Sequence, residues 1–215
     1  MSLSLHAVSL TLAGAPLITA FDLVVEDGEV VTIMGPSGCG KSSLLAYIAC
    51  DLTPPLLGHG RIFLNERDVT DMRPEQRKIG RLFQDDLLFP HLTLGQNILF
   101  GMPRGSKDRR VEKMRQSLQQ AELGGWEDRM PSTLSGGQKA RVSLMRALVA
   151  EPLCMLLDEP FNKLDEELRT SMRAYVYSHL QSHGIPSLMV SHDKADAPRG
   201  GRVLHIRKSG EIVHA

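Results

Sequence analysis

The run Gly35-Pro36-Ser37-Gly38-Cys39-Gly40-Lys41-Ser42 combines glycines, a lysine and a hydroxyl at the spacing of a phosphate-binding loop. Glycines let the backbone turn tightly enough for successive N–H groups to face phosphate oxygens. A helix opening at the loop's end adds its positive dipole end. Lys41 then reaches the β- and γ-phosphates as a point charge, and Ser42 offers its hydroxyl to Mg²⁺. With average amino-acid usage, a chance match somewhere in a chain of 215 residues arises about once in a hundred.

Asp158-Glu159 follows the apolar run Leu153-Cys154-Met155-Leu156-Leu157. In a phosphate-loop protein this pair reads as the second half of the site. Asp158 supports Mg²⁺ through water, and Glu159 polarises the attacking water as general base. A carboxylate beside a triphosphate is disfavoured as an anion, which helps it accept a proton. Leu134-Ser135-Gly136-Gly137-Gln138 adds a second glycine-rich helix start. Ser135 and Gln138 have the spacing of reciprocal caps, and the two glycines leave the first N–H groups bare.

These groups need a parallel sheet to position them. Val30–Met34, Leu153–Leu157 and Pro186–Val190 are continuous apolar runs and predict buried strands. Ser42–Ala49 and Glu166–His183 predict helices, the second with Leu168, Met172, Val176 and Leu180 on one face. From about 87 to 150 the chain reads as helical, with Val111, Met114, Leu118 and Ala121 in register and a stop at Gly124-Gly125. The first 30 residues and Arg202–Ala215 read as antiparallel strands at the sheet's flank. The expected fold is α/β: a phosphate-loop NTPase core, mostly parallel with flanking helices, carrying N-terminal antiparallel strands and an inserted helical subdomain.

Lys plus Arg equals Asp plus Glu at 25 each, which points away from nucleic acid as a partner. Cys39, Cys50 and Cys154 show no metal-type spacing, so a reducing compartment is expected. No stretch reaches the roughly 18 continuous apolar residues of a membrane helix, and Met1–His6 lacks the features of a signal peptide.

The phosphate loop, Gln84, the Leu134–Gln138 run, Asp158-Glu159 and His192 resemble the ATP-binding cassette (ABC) transporter family in order and spacing, over nearly the whole chain. The resemblance implies an ATP-hydrolysing subunit that uses ATP and Mg²⁺. Gln84 would join Ser42 and Asp158 at Mg²⁺, and His192 would contact the γ-phosphate and position water with Glu159. The nucleotide-binding set would run from Gly35 through Ser42 to Ser43. Ser135, Gly136, Gly137 and Gln138 would bind the nucleotide held by a second ATP-binding subunit, in a homodimer. Leu88-Phe89-Pro90-His91-Leu92-Thr93 resembles the import members' segment that docks a helix of the membrane subunit. The expected partners are therefore transmembrane permease subunits with a substrate-binding protein, and the expected location is cytoplasmic, on the membrane's inner face. The cassette would fill residues 1–215, with 1–86 and 151–215 as core and about 87–150 as the helical subdomain.

Three departures from the family pattern stand out. Leu12 occupies the place of the usual adenine-stacking aromatic, Lys163 brings charge to the loop after the acidic pair, and Ala197–Gly201 breaks a usual helix. Leu12 and Lys163 motivate a low-turnover regulatory module as an alternative, beside a soluble, non-transport ABC ATPase. With the sequence ending at Ala215, a C-terminal regulatory domain is not expected.

Overall fold

The computed structural model describes residues 1–207 and 209–214. The chain opens with β1 (Leu3–Leu12), β2 (Ala15–Val25), β3 (Val30–Met34), α1 (Lys41–Ala49), β4 (Leu56–Leu64), β5 (Arg67–Asp68), α2 (Pro74–Arg77) and β6 (Ile79–Leu82). It continues with α3 (Leu94–Gly101), α4 (Lys107–Gln120), α5 (Gly136–Leu148), β7 (Cys154–Asp158), α6 (Glu166–Ser182), β8 (Ser187–Val190), β9 (Val203–Ile206) and β10 (Ile212–His214). One compact unit comprises Met1–Arg81, Leu153–Glu159 and the chain from Tyr177; the other comprises Leu82–Pro152 and Pro160–Val176.

The first unit is built on two sheets. One has the order β10-β9-β3-β8-β7-β6. Its strands β3, β8 and β7 pair in parallel, and every residue of the three is buried. Burial on both faces is why these strands read as unbroken apolar runs rather than alternating ones. The other sheet is antiparallel, in the order β2-β1-β4-β5. Helix α1 touches β4 of one sheet and β7 and β8 of the other. Leu44, Leu45, Ala46 and Ile48 are accordingly all buried, and the helix shows little of the one-sided pattern of a surface helix.

Two sequence expectations are corrected here. Val203–Ile206 is not an antiparallel flank: β9 lies parallel beside β3, and only β10 runs antiparallel to it. Helix α4 ends at Gln120, before the Gly124-Gly125 stop. Strand β4 was hidden from the pattern by Gly58 and Gly60, residues that strands normally avoid. Gly60 has φ +112°, and a Cβ there would sit 2.7 Å from the Val8 Cα. The two strands approach too closely for a side chain.

In the second unit α3, α4 and α5 pack on one another. Leu94 and Ile98 of α3, Met114 and Leu118 of α4, and Val142, Leu144, Met145 and Leu148 of α5 are buried. Helix α3 starts at a reciprocal cap between Thr93 and Gln96, which satisfies donors a helix end leaves bare. At its other end Gly101 meets α5 so closely that a Cβ would lie 2.6 Å from the Arg146 carbonyl oxygen. Gly101→Ala is expected to cost about 1–3 kcal/mol through overpacking, seen as a lowered thermal midpoint. An unchanged midpoint would contradict so close an approach.

Candidate active site

Strand β3 delivers the chain into Gly35–Gly40, and α1 begins at Lys41. The turn requires glycine at its entry and exit. At Gly35 (φ +153°) a Cβ would lie 2.7 Å from the Ile206 carbonyl oxygen, and at Gly40 (φ +97°) 3.3 Å from the Leu17 Cβ. Only 9% of Lys41 is exposed. Its Nζ donates to the carbonyl oxygens of Gly35 (2.9 Å) and Pro36 (2.8 Å) and lies 4.0 Å from the Cys39 Sγ. Ser43 is the next-but-one residue of the same helix start.

The neighbouring strands end at the same edge, where ligands of parallel sheets generally bind. Asp158 closes β7 and is 5% exposed; its Oδ1 accepts from the Ser42 hydroxyl at 3.1 Å. Burial pushes the Asp158 carboxyl above the usual carboxylate range, against the opposing effects of the Ser42 bond and the Arg81 and Lys41 charges. Glu159 follows in a left-handed conformation (φ +50°), held by its N–H donating to the Val190 carbonyl at 3.0 Å. Its Oε1 lies 3.3 Å from the His192 Nδ1. His192 is carried by the turn after β8, which Ser191 pins by donating to Asp196 Oδ2 at 2.6 Å. Sequence reasoning overlooked Arg81 of β6, whose Nη1 is 2.6 Å from Asp51 Oδ2.

The structure therefore brings Gly35–Ser43, Asp158, Glu159 and His192 together in the first unit. Gln84 and Ser135–Gln138 belong to the second. There Ser135 caps α5: its Oγ accepts from the Gln138 N–H (3.3 Å) while Gln138 Oε1 accepts from the Ser135 N–H (2.9 Å). Ser135 and Gly136 are exposed. A cavity of about 220 Å³ beside the phosphate loop is lined by Pro16, Leu17, Pro36, Ser37, Gly38 and Cys39. Leu12, the residue expected in place of a stacking aromatic, is not in its lining.

Two further residues went unnoticed in the sequence. Asn97, buried on α3, accepts from the Phe89 N–H (2.9 Å) and donates to the carbonyls of Phe89 (3.2 Å), Leu92 (3.0 Å) and Thr93 (3.0 Å). It fixes the shape of the Leu88–Thr93 segment. Arg146 of α5 lies over the Phe89 ring, 5.4 Å from its centroid. A lone amide on a helix's apolar face, beside Leu94 and Ile98, is the only trace of this in the sequence.

Residues 18–162 match the ABC transporter family. The chain is 42% identical over 205 residues to the Escherichia coli protein YnjD, an uncharacterized ABC transporter ATP-binding protein, covering 95% of this chain and 94% of that one. It is 38% identical to the Fe(3+) ions import ATP-binding protein FbpC of Mannheimia succiniciproducens, across 98% of this chain but 60% of the relative. Identity to the spermidine/putrescine import protein PotA of Oleidesulfovibrio alaskensis is 41%, over 82% of this chain and 47% of the relative. The chain thus spans about half to three-fifths of the length of these import proteins. The ATP-binding cassette MJ0796, solved as a dimer in a post-hydrolysis state bound to ADP and Pi, superposes with a TM-score of 0.84 at 28% identity, covering 99% of this chain and 98% of that one. The chain belongs to the ABC transporter family, as an ATP-binding cassette ATPase.

Asp158 supplies a direct check on the geometry. A carboxyl whose folded pKa lies above its unfolded value holds its proton more tightly when folded. Its contribution to stability is then present at low pH and lost as pH rises through the folded pKa. Without nucleotide, Asp158→Asn is expected to raise the thermal midpoint at neutral pH, with the gain shrinking towards about pH 4. A midpoint lowered at neutral pH would contradict the buried, destabilising carboxylate.

Proposed function

We propose that this chain hydrolyses ATP as one half of a head-to-tail pair beneath the permease subunits of an uptake system, on the cytoplasmic face of the membrane. The two compact units are read as parts of a single cassette. The observation that carries the reading is the joint arrangement at the ends of β3, β7 and β8. A lysine, a hydroxyl–carboxylate pair and a carboxylate–imidazole pair meet one phosphate loop there.

Loop N–H groups and the α1 dipole bind the triphosphate. Lys41 exchanges its bonds to the Gly35 and Pro36 carbonyls for β- and γ-phosphate oxygens. Ser42 and Asp158, hard oxygen donors 3.1 Å apart, fit Mg²⁺. Bound there, the ion would neutralise charge on the phosphates. Glu159 takes the proton of the attacking water, and His192, on its Oε1, holds the carboxylate and the γ-phosphate in line. Its left-handed backbone aims the Glu159 side chain off the strand end, a strain of the kind functional sites retain.

Ser135, Gly136 and Gly137 would complete the site of a second copy, since an exposed helix start with bare N–H groups suits a γ-phosphate offered from outside. Import is supported by the FbpC and PotA names among the relatives, and a substrate-binding protein would complete such a system. No described helix is long and apolar enough to cross a membrane, so membrane partners would supply the channel. They would dock on the patch where Phe89 meets Phe100 (centroids 4.6 Å), with Leu87 56% and Phe100 66% exposed. The aliphatic lining of Pro16 and Leu17 offers the base a surface without aromatic stacking.

Glu159→Gln tests this directly. Turnover should fall about 100-fold or more while ATP binding survives. MgATP should then move the solution mass from 23.7 kDa to twice that. Near-normal turnover would remove Glu159 as the base, and a variant that binds no ATP would overturn the reading.

A further inference from the structure

The mechanism above makes no use of the contact between Lys163 and Asp86 in the second unit. Lys163, in the loop after the acidic pair, places its Nζ 3.2 Å from Asp86 Oδ1. Asp86 lies two residues beyond Gln84, and its side chain is largely covered. Its main-chain oxygen accepts from Arg146 Nη2 at 3.3 Å. The same guanidinium reaches Asn97 Oδ1 at 3.4 Å and lies over Phe89. Asp86 is therefore bonded on its backbone side to the frame that shapes the Phe89–Thr93 segment.

The other end of the contact is equally placed. The Lys163 carbonyl oxygen abuts the start of α5, 3.0 Å from where a Cβ of Gly137 would stand. Two residues on, Asp165 Oδ1 caps α6 by accepting from the Leu168 N–H at 3.0 Å. The loop is thus anchored at Asp165, pressed against the signature glycine through its backbone, and tied to Asp86 through its side chain. A half-exposed ion pair adds little to global stability. Its consequence is positional: it joins two loops that the helices alone do not join.

We propose that Lys163 is a positioning residue. Through Asp86 it makes the loop against Gly137 and the Gln84–Thr93 segment move as one body, so that occupancy of the docking segment is conveyed to the signature end. This rests on the function proposed above and assigns a coupling role to a residue that departs from the family pattern. The coupling acts through a contact that salt weakens.

The test is hydrogen–deuterium exchange on the full chain without nucleotide, paired with ATP turnover. Lys163→Met and Asp86→Asn should each raise exchange about tenfold in peptides covering 161–165 and 84–89. Each should also lower kcat about fivefold at unchanged KM for ATP, with the thermal midpoint held. Lys163→Arg and Asp86→Glu should keep at least half of wild-type turnover. The double variant Lys163→Met/Asp86→Asn should be no worse than either single one, as for partners in one contact. Unchanged exchange in the single variants, additive losses in the double, or unmoved kcat would overturn the proposal. A wild-type chain without turnover would count against the proposed function alone, because the exchange measurement needs no nucleotide and would still decide the contact.

Discussion

The ammonium of Lys41 is buried against the carbonyls of the loop that precedes it, and the first unit is organised around that charge. Two carbonyl dipoles satisfy a buried cation only in part, and an anion beside it completes the balance. For phosphate to be that anion, the loop must stay open between a strand that cannot shift and a helix start that faces it. Strand β3 cannot shift because it is buried throughout and paired in parallel on both sides, by β8 and β9. Helix α1 cannot rotate without exposing Leu44, Leu45 or Ile48, since it touches both sheets. Asp158 and Glu159 then arrive at the same edge because β7 is paired in register with β8.

The second unit solves a different problem, that of holding an apolar segment at the surface in a defined shape. Asn97 supplies an acceptor and donors to the backbone of Phe89, Leu92 and Thr93 from a buried position. A fully satisfied buried amide of this kind fixes one conformation, where an apolar residue would take away the partner of the Phe89 N–H and of the Leu92 carbonyl. Arg146 extends the frame to Asp86 and Phe89. The Lys163–Asp86 contact then brings in the loop that meets Gly137.

What was legible in the sequence follows from how strongly each feature restricts residue type. Phosphate chemistry allows few residues at fixed spacing, so Gly35–Ser42 and Asp158-Glu159 stood out, as did the capping pair Ser135 and Gln138. Strands β3, β7 and β8 were legible because burial on both faces leaves a continuous apolar run. Strand β4 was not, because its glycines answer to the backbone of β1, far away in sequence. The direction of β9 was hidden for a related reason: pairing with β3 is non-local, and its short alternating run would fit either direction. Lys163 stood out as a charge in the loop after the acidic pair, but its partner Asp86 lies 77 residues away and only folding sets the two side by side. Leu12 drew notice by its place in the sequence, whereas Pro16 and Leu17 line the cavity beside the loop.

The central claim is that one chain's phosphate loop is completed by another chain's Ser135. Mixing a Lys41→Ala chain with a Ser135→Arg chain and measuring ATP turnover tests it most directly. Each variant alone spoils both sites of its own pair, but a mixed pair gathers both defects into one site and leaves the other intact. Half of randomly mixed pairs would carry one good site of two, so the mixture should recover up to about a quarter of wild-type turnover. A mixture as inactive as its components, or a Ser135→Arg chain that hydrolyses ATP unaided, would contradict the claim.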